Sequence, residues 1–366
     1  MPTDAEPDRS PEPDRSVAEA PSSQDAVDRR THDRRTLRLG IGVTIAFLVA
    51  LLYDWTLAYL APVFVAPMLQ AHAAPSMGAA ARIMLATIAV SFACFYAAGF
   101  SQIFPEVFLI ALFPALLWTF RLGLRGGPVL IMLVALCELM LVPMVANTTA
   151  EITRDVALSF VLNIGLSLVI AMILYALLPP LPSEPAQKPR PVLPPEEATR
   201  RAAMLAAITW SYAALYFGFA WSNVHTPLYV AVYAFSLNLS RGTSTAKGIL
   251  AANVAAGVLT MVLYQLTRMT PYILFVGVMM LTVNLIIARM ITSKASWAPL
   301  AGFGLSVLMI LYGESILPFS EDGGSNFAYR FAELALAAIW AIGALAVLEA
   351  FFPAKAVASA KPEPAI

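Results

Sequence analysis

The feature that most restricts how this chain can fold is a succession of long apolar runs. They cover about residues 37–54, 57–69, 77–100, 105–120, 128–146 and 155–178, then 202–221, 226–239, 245–266, 271–290, 297–317 and 327–352. A helix that crosses a bilayer needs about 20 residues, and ten of the runs meet or approach that length. Hydrocarbon offers backbone N–H and C=O groups no water, so such runs must bond internally as helices. Charged residues are only 13% of the chain, roughly half the share of a soluble domain. The expected fold is all-α, a polytopic membrane protein of about twelve transmembrane helices.

The first run has an echo. Arg34-Arg35-Thr36-Leu37-Arg38 opens it, and it leads through Trp55 to Ala61-Pro62-Val63-Phe64-Val65-Ala66-Pro67. Arg200-Arg201 opens the seventh run, which leads through Trp221 to Thr226-Pro227-Leu228-Tyr229-Val230. Arg35 precedes Trp55 by 20 positions, as Arg201 precedes Trp221. Ala81-Arg82-Ile83-Met84-Leu85-Ala86 then matches Ala246-Lys247-Gly248-Ile249-Leu250-Ala251 at an offset of 165, and Pro105 matches Pro271 at 166. The offset grows to 168 between Arg121 and Arg289 and to 176 between Arg154 and Arg330. Drift confined to connecting segments is what duplicated units acquire by insertion. Two six-helix repeats are therefore expected, at 34–180 and 200–353.

The flanking segments differ in composition. Residues 1–33 are rich in Pro, Asp, Arg, Ser and Ala without apolar periodicity, which predicts a disordered tail, with no cleavable signal expected ahead of the first run. Residues 181–199 read as a semi-rigid extended linker, since eight prolines fall between Pro179 and Pro195. Residues 354–366 form a short closing tail. The second and eighth runs, of about 13 and 14 residues, make helices only about 20 Å long. With Pro62, Pro67 and Pro227 they are expected to be short and proline-broken.

Charge placement decides whether they cross. With twelve crossings and a cytoplasmic start, only Arg154, Arg268 and Arg330 of the 23 Lys and Arg residues lie outside. Without the short crossings, Arg82, Arg121, Arg125 and the linker would move outside, against the positive-inside rule. Six crossings per copy make the repeats parallel, related by a pseudo-two-fold axis along the membrane normal. Both termini and the linker are then cytoplasmic.

Polar groups at membrane depth mark candidate transport sites. Glu138 is the deepest, midway along the fifth run in Leu136-Cys137-Glu138-Leu139-Met140. It suits a carboxyl that takes up and releases a proton during transport, or else a hydrogen-bonded group joining two helices. Arg82 and Lys247 occupy equivalent positions at the inner ends of the third and ninth runs. A helix N-terminus with a cation favours an anion, so the pair either forms a vestibule for a carboxylate or snorkels to headgroups. Interrupted spans in matching positions are a further pointer: Trp55, Tyr59 and Pro62 in one copy, Trp221, His225 and Pro227 in the other. Their rings either frame an aromatic ligand or anchor the chain at headgroup depth. Asn163, Asn253 and Asn284 lie mid-span and are expected to join helices.

No phosphate-binding loop, paired acidic motif or serine nucleophile elbow is present, so enzymatic activity and nucleic acid as a partner have no support. The three histidines are scattered, and Cys94 and Cys137 are expected to be free buried thiols; no metal or cofactor is expected.

Arg35-Thr36-Leu37-Arg38-Leu39-Gly40-Ile41-Gly42-Val43-Thr44, followed by Tyr59-Leu60-Ala61-Pro62-Val63-Phe64, resembles the first two spans of the fusaric acid resistance and aromatic acid exporter superfamily. The likeness is greatest to its compact bacterial members, which lack a large cytoplasmic domain. The Ala246-Lys247-Gly248-Ile249-Leu250-Ala251 block is similar to a diverged copy of their basic-residue-before-small-helix element. The resemblance implies export of small aromatic carboxylates across the bacterial inner membrane, with a periplasmic membrane-fusion adaptor as partner. Distantly similar plant proteins conduct organic anions passively. A proton-coupled exporter, a passive anion channel and a non-transporting scaffold for an adaptor are thus the three functional expectations; a homo-oligomer is compatible with each.

Overall fold

The computed structural model describes residues 23–146, 150–181, 192–219, 221, 226–239, 243–316 and 323–351. They form twelve helices: α1 (Ser23–Tyr53), α2 (Leu60–Leu69), α3 (Met77–Ile103), α4 (Pro105–Leu124), α5 (Val129–Val145), α6 (Ala150–Leu177), α7 (Pro195–Gly218), α8 (Thr226–Leu239), α9 (Thr243–Met269), α10 (Ile273–Thr292), α11 (Ala298–Ile316) and α12 (Gly323–Phe351). There is no strand among the described residues. Eight of the helices are long and apolar enough to cross a membrane.

Two expected boundaries move. Residues 23–33 belong to α1 rather than to a disordered tail, because this polar extension docks on the end of α10. Asp28 pairs with Lys294 at 3.0 Å, His32 Nδ1 lies 3.2 Å from the Thr292 carbonyl, and the Thr36 and Thr292 hydroxyls are 2.8 Å apart. Residues 1–22 lie outside the described residues. The linker also ends earlier than 199, because Pro195 opens α7. Proline is favoured at the first helical position, and Glu196 and Glu197 behind it complement the positive end of the helix.

The short helices are not broken by their prolines. Pro62 falls in the first turn of α2 and Pro227 in the first turn of α8, where N–H groups have no intrahelical partner to lose. Pro67 lies further along, yet α2 continues to Leu69. Ten residues rise only about 15 Å. Turns with i→i+3 bonds extend the helix backward, from Ala58 N–H to Trp55 O and from Leu60 N–H to Leu57 O. Apart from Pro67, every residue of α2 is buried, as befits a helix that is apolar all round.

Helix pairing recurs with a shift of six. α1 packs on α10 and α7 on α4, α2 on α6 and α8 on α12, α3 on α5 and α9 on α11, α1 on α2 and α7 on α8. The α1–α10 seam is close. A Cβ on Gly40 would stand 2.7 Å from Leu285 Cδ2, and Asn284 Nδ2 donates to Thr44 Oγ1 at 3.0 Å. Across α4–α7, Trp210 Nε1 donates to Leu109 O at 2.7 Å and its indole meets Phe113 edge-on.

Within a set, small residues make the contacts. The buried face of α3 is Thr87, Ser91, Cys94, Ala98 and Ser101, spaced four, three, four and three, and α5 lies along it. Lipid tails are as apolar as leucine, so association of such helices rests on close packing rather than on expulsion of water. The opposite face of α3 carries Leu85, Phe92, Tyr96, Phe100 and Ile103, all exposed. A patch that size needs a cover, and a bilayer supplies one.

Candidate functional site

Glu138 sits midway along α5 and is wholly buried. Ser91 Oγ of α3 donates to its Oε1 at 2.7 Å, while Oε2 has no hydrogen-bond partner among the described residues. Cys94 and Cys137 lie close by, and both are free and buried. A carboxylate left half-satisfied in hydrocarbon is costly, whereas the protonated acid keeps the Ser91 bond and presents one O–H donor. The seam of small α3 residues gives α5 the close approach that makes this bond.

The interrupted-span residues of the first copy hold the short helix in place. Trp55 Nε1 donates to Asn163 Oδ1 at 3.1 Å, and Asn163 Nδ2 donates to Leu57 O at 3.0 Å. One turn on, Ser167 Oγ donates to Ala61 O at 3.1 Å. Tyr175 OH donates to Ala71 O, with the Met68 and Leu69 carbonyls 3.3 and 3.4 Å away. Residues 163, 167 and 175 thus line one side of α6 and take up carbonyls along and around α2. Tyr59 is buried against α11, where a Cβ on Gly313 would stand 2.3 Å from its own Cβ. Trp55 is therefore a half-buried latch, bonded to α6 through its indole N–H.

In the second copy, Pro227 is buried in the first turn of α8. Trp221 is 36% exposed and stacks on Phe219 with ring centroids 5.9 Å apart. Tyr229 OH donates to the Glu314 carboxylate of α11 at 3.3 Å. His225 lies outside the described residues.

Of the expected Arg82–Lys247 vestibule, the described residues show the Arg82 side chain. Arg82 is exposed on α3, its Nε donating to Gly78 O at 3.3 Å, in line with Leu85, Phe92 and Tyr96 on the outward face. α3 packs on α4, α5 and α6, and α9 on α11 and α12, so the two helices stand apart. Lys247 lies in α9, and its side chain is outside the described residues.

Sequence reasoning passed over Arg38. It is fully buried, with its guanidinium carbon 4.2 Å above the Tyr175 ring and Nη1 directed at Leu178 O, 3.5 Å away. Desolvated cation–π contacts of this kind are worth about 2 kcal/mol. The signal was present: Arg38 adjoins Leu39, Val43, Ala46 and Ala50, whose three-to-four spacing marks the buried face of α1. No group of three or more potential metal ligands occurs among the described residues.

With this geometry in place, comparison with known proteins adds one likeness. Residues 35–175 match the family model DUF2955, a protein of unknown function. The match runs from the start of the apolar part of α1 to the last turn of α6, less than half of the chain. No curated protein and no solved structure matches.

Proposed function

We propose that the chain is a membrane transporter of small organic anions, aromatic carboxylates foremost, built as two parallel six-helix units around a pseudo-two-fold axis along the bilayer normal. The shift of six in the helix pairing supports the two units. The likeness of residues 35–175 to a family model coincides with one of them. The distribution of Lys and Arg supports an inner-membrane orientation with both termini in the cytoplasm. The cargo class follows the resemblance of α1 and α2 to the aromatic acid exporters.

One observation carries the transport reading: Glu138, an ionisable group enclosed at mid-span and bonded on one oxygen only. Proton uptake there exchanges a carboxylate for a neutral acid at the depth where a coupled carrier must change state. The enclosure of α2 by α1, α6 and α11 favours a gated carrier over an open pore.

The test is benzoate flux in proteoliposomes under an imposed proton gradient. Wild type is expected to accumulate benzoate beyond equilibrium and to lose that accumulation with an uncoupler. Glu138→Gln, which keeps shape and the Ser91 contact, is expected to reduce uphill accumulation at least tenfold while sparing downhill exchange. Equal uphill accumulation in both proteins would remove Glu138 from the mechanism.

A further inference from the structure

Three asparagines lie mid-span, and two of them join helices. Asn163 bonds Trp55 and the Leu57 carbonyl ahead of α2, and Asn284 donates to Thr44 of α1. Asn253 of α9 does neither. It is 7% exposed, and its Nδ2 and Oδ1 both have no hydrogen-bond partner among the described residues. Tyr233 of α8 stands beside it, 2% exposed, with its hydroxyl equally unbonded among those residues. The Phe303 ring of α11 lies against the Tyr233 ring, with centroids 5.6 Å apart.

Buried polar groups are with few exceptions bonded to protein, water or ligand, and an unbonded amide at this depth is costly. The pair is therefore built to meet a bond that comes from elsewhere. The first copy carries no such pair. Thr87, 166 positions before Asn253, donates its hydroxyl to Ile83 O of its own helix, and Pro67 stands 166 positions before Tyr233.

The donors and acceptors fix the class of ligand. A carboxamide sets N–H donors beside a C=O acceptor. Its complement is a protonated carboxyl, whose C=O accepts while its O–H donates, so that two parallel bonds close between them. The Tyr233 hydroxyl can give or take a third. A carboxylate is the wrong partner. It offers Oδ1 no donor, and none of these three side chains carries a positive charge to offset its desolvation.

We propose that Tyr233 and Asn253, walled by Phe303, form a binding subsite for the carboxyl group of the cargo in its neutral acid form. The assignment rests on the transporter reading above and names the protonation state in which the second copy holds the cargo.

The experiment is calorimetric titration of the purified full-length chain in a neutral detergent at neutral pH. The probe is benzamide, which keeps a C=O beside an N–H donor and carries no charge; benzoate is the charged control. Wild type is expected to bind benzamide saturably and benzoate at least tenfold more weakly. Asn253→Leu is similar in size and removes both polar atoms. It is expected to weaken benzamide binding at least tenfold with its melting temperature retained, because no bond within the protein is lost. Tyr233→Phe is expected to weaken it about threefold, the measure of one neutral hydrogen bond. Should Asn253→Leu fail to fold, Tyr233→Phe decides alone. Benzamide affinity unchanged in either folded variant overturns the assignment, as does a wild type that binds benzoate more tightly than benzamide or binds no benzamide. Proteoliposome flux separates this inference from the one it rests on. Benzoate flux unchanged in Asn253→Leu removes the subsite and leaves the transporter, whereas absent flux in wild type removes the transporter.

Discussion

Replacing Asn163 by alanine tests whether the polar face of α6 holds the short helix in place. Asn163 is fully buried and its amide spans two groups, accepting from Trp55 Nε1 and donating to Leu57 O. The backbone that carries those contacts is strained: Asp54, just before Trp55, has φ 43° and Leu57 has φ 56°, each of order 1 kcal/mol for a residue other than glycine. Inter-helix hydrogen bonds in membrane proteins are worth about 0.6 kcal/mol on average and at most about 1.7. Leaving two half-buried partners unsatisfied raises the cost, so Asn163→Ala should destabilise the chain by about 2 kcal/mol. Trp55→Phe removes one bond and keeps most of the ring, and should cost about 1 kcal/mol. The assay is unfolding by sodium dodecyl sulfate in mixed micelles, with the double mutant completing the cycle. A coupling energy of about 1 kcal/mol between the two positions is expected. Strict additivity, within the roughly 0.3–0.5 kcal/mol seen for independent sites, would refute the latch.

Gly40→Leu should separate α1 from α10. Its Cβ alone would meet Leu285 at 2.7 Å and the Leu285 backbone at 3.1 Å, so a loss of about 1–3 kcal/mol is expected; Gly99→Leu, with nothing within 4 Å, should melt near wild type. Glu197 lies on the water side of the run that begins at Ala202, and hydrogen bonds from Arg200 first and Arg201 next hold its carboxyl down to about 2 from an ordinary 4.5. A depressed folded value contributes stability that is complete above about pH 4.5 and is lost as pH falls toward 2. Near the water this is worth about 1 kcal/mol at most. The melting-temperature gap between wild type and Glu197→Gln should therefore narrow from pH 6 to pH 3, and a gap that stays constant counts against the pairing.

The helices were legible in the sequence because lipid admits so few alternatives to them: apolar runs ended by charges and prolines mark their limits to within a few residues. What stayed hidden depended on partners far along the chain. The polar start of α1 has no apolar face of its own, and it is ordered by Lys294 and Thr292, more than 250 positions away. The lipid-facing side of α3 was legible in its register. In a membrane bundle the small residues point inward and the large apolar ones toward lipid. Arg82 falls on the line of Leu85, Phe92 and Tyr96, so its register already placed it outside. The same rule applied to α1 puts Arg38 beside the buried stripe. Asn163 and Asn284 do join helices as expected, since an amide at that depth must find partners on a neighbour.

The two copies diverge most where polar groups reach their short helices, and that divergence bears on how a carrier could move. α2 is held by α6 through Asn163, Ser167 and Tyr175. The buried residues of α12, the counterpart of α6 in the pairing, are Glu333, Leu334, Ala337, Ala338 and Ala341. One polar contact to α8 comes from α11, through Glu314 and Tyr229. Hydrogen bonds resist sliding because their geometry is narrow, while an alanine face permits small shifts at little cost. The bonds from Asn163, Ser167 and Tyr175 therefore hold α2 against sliding along α6. The half held in this way is also the one that carries Glu138.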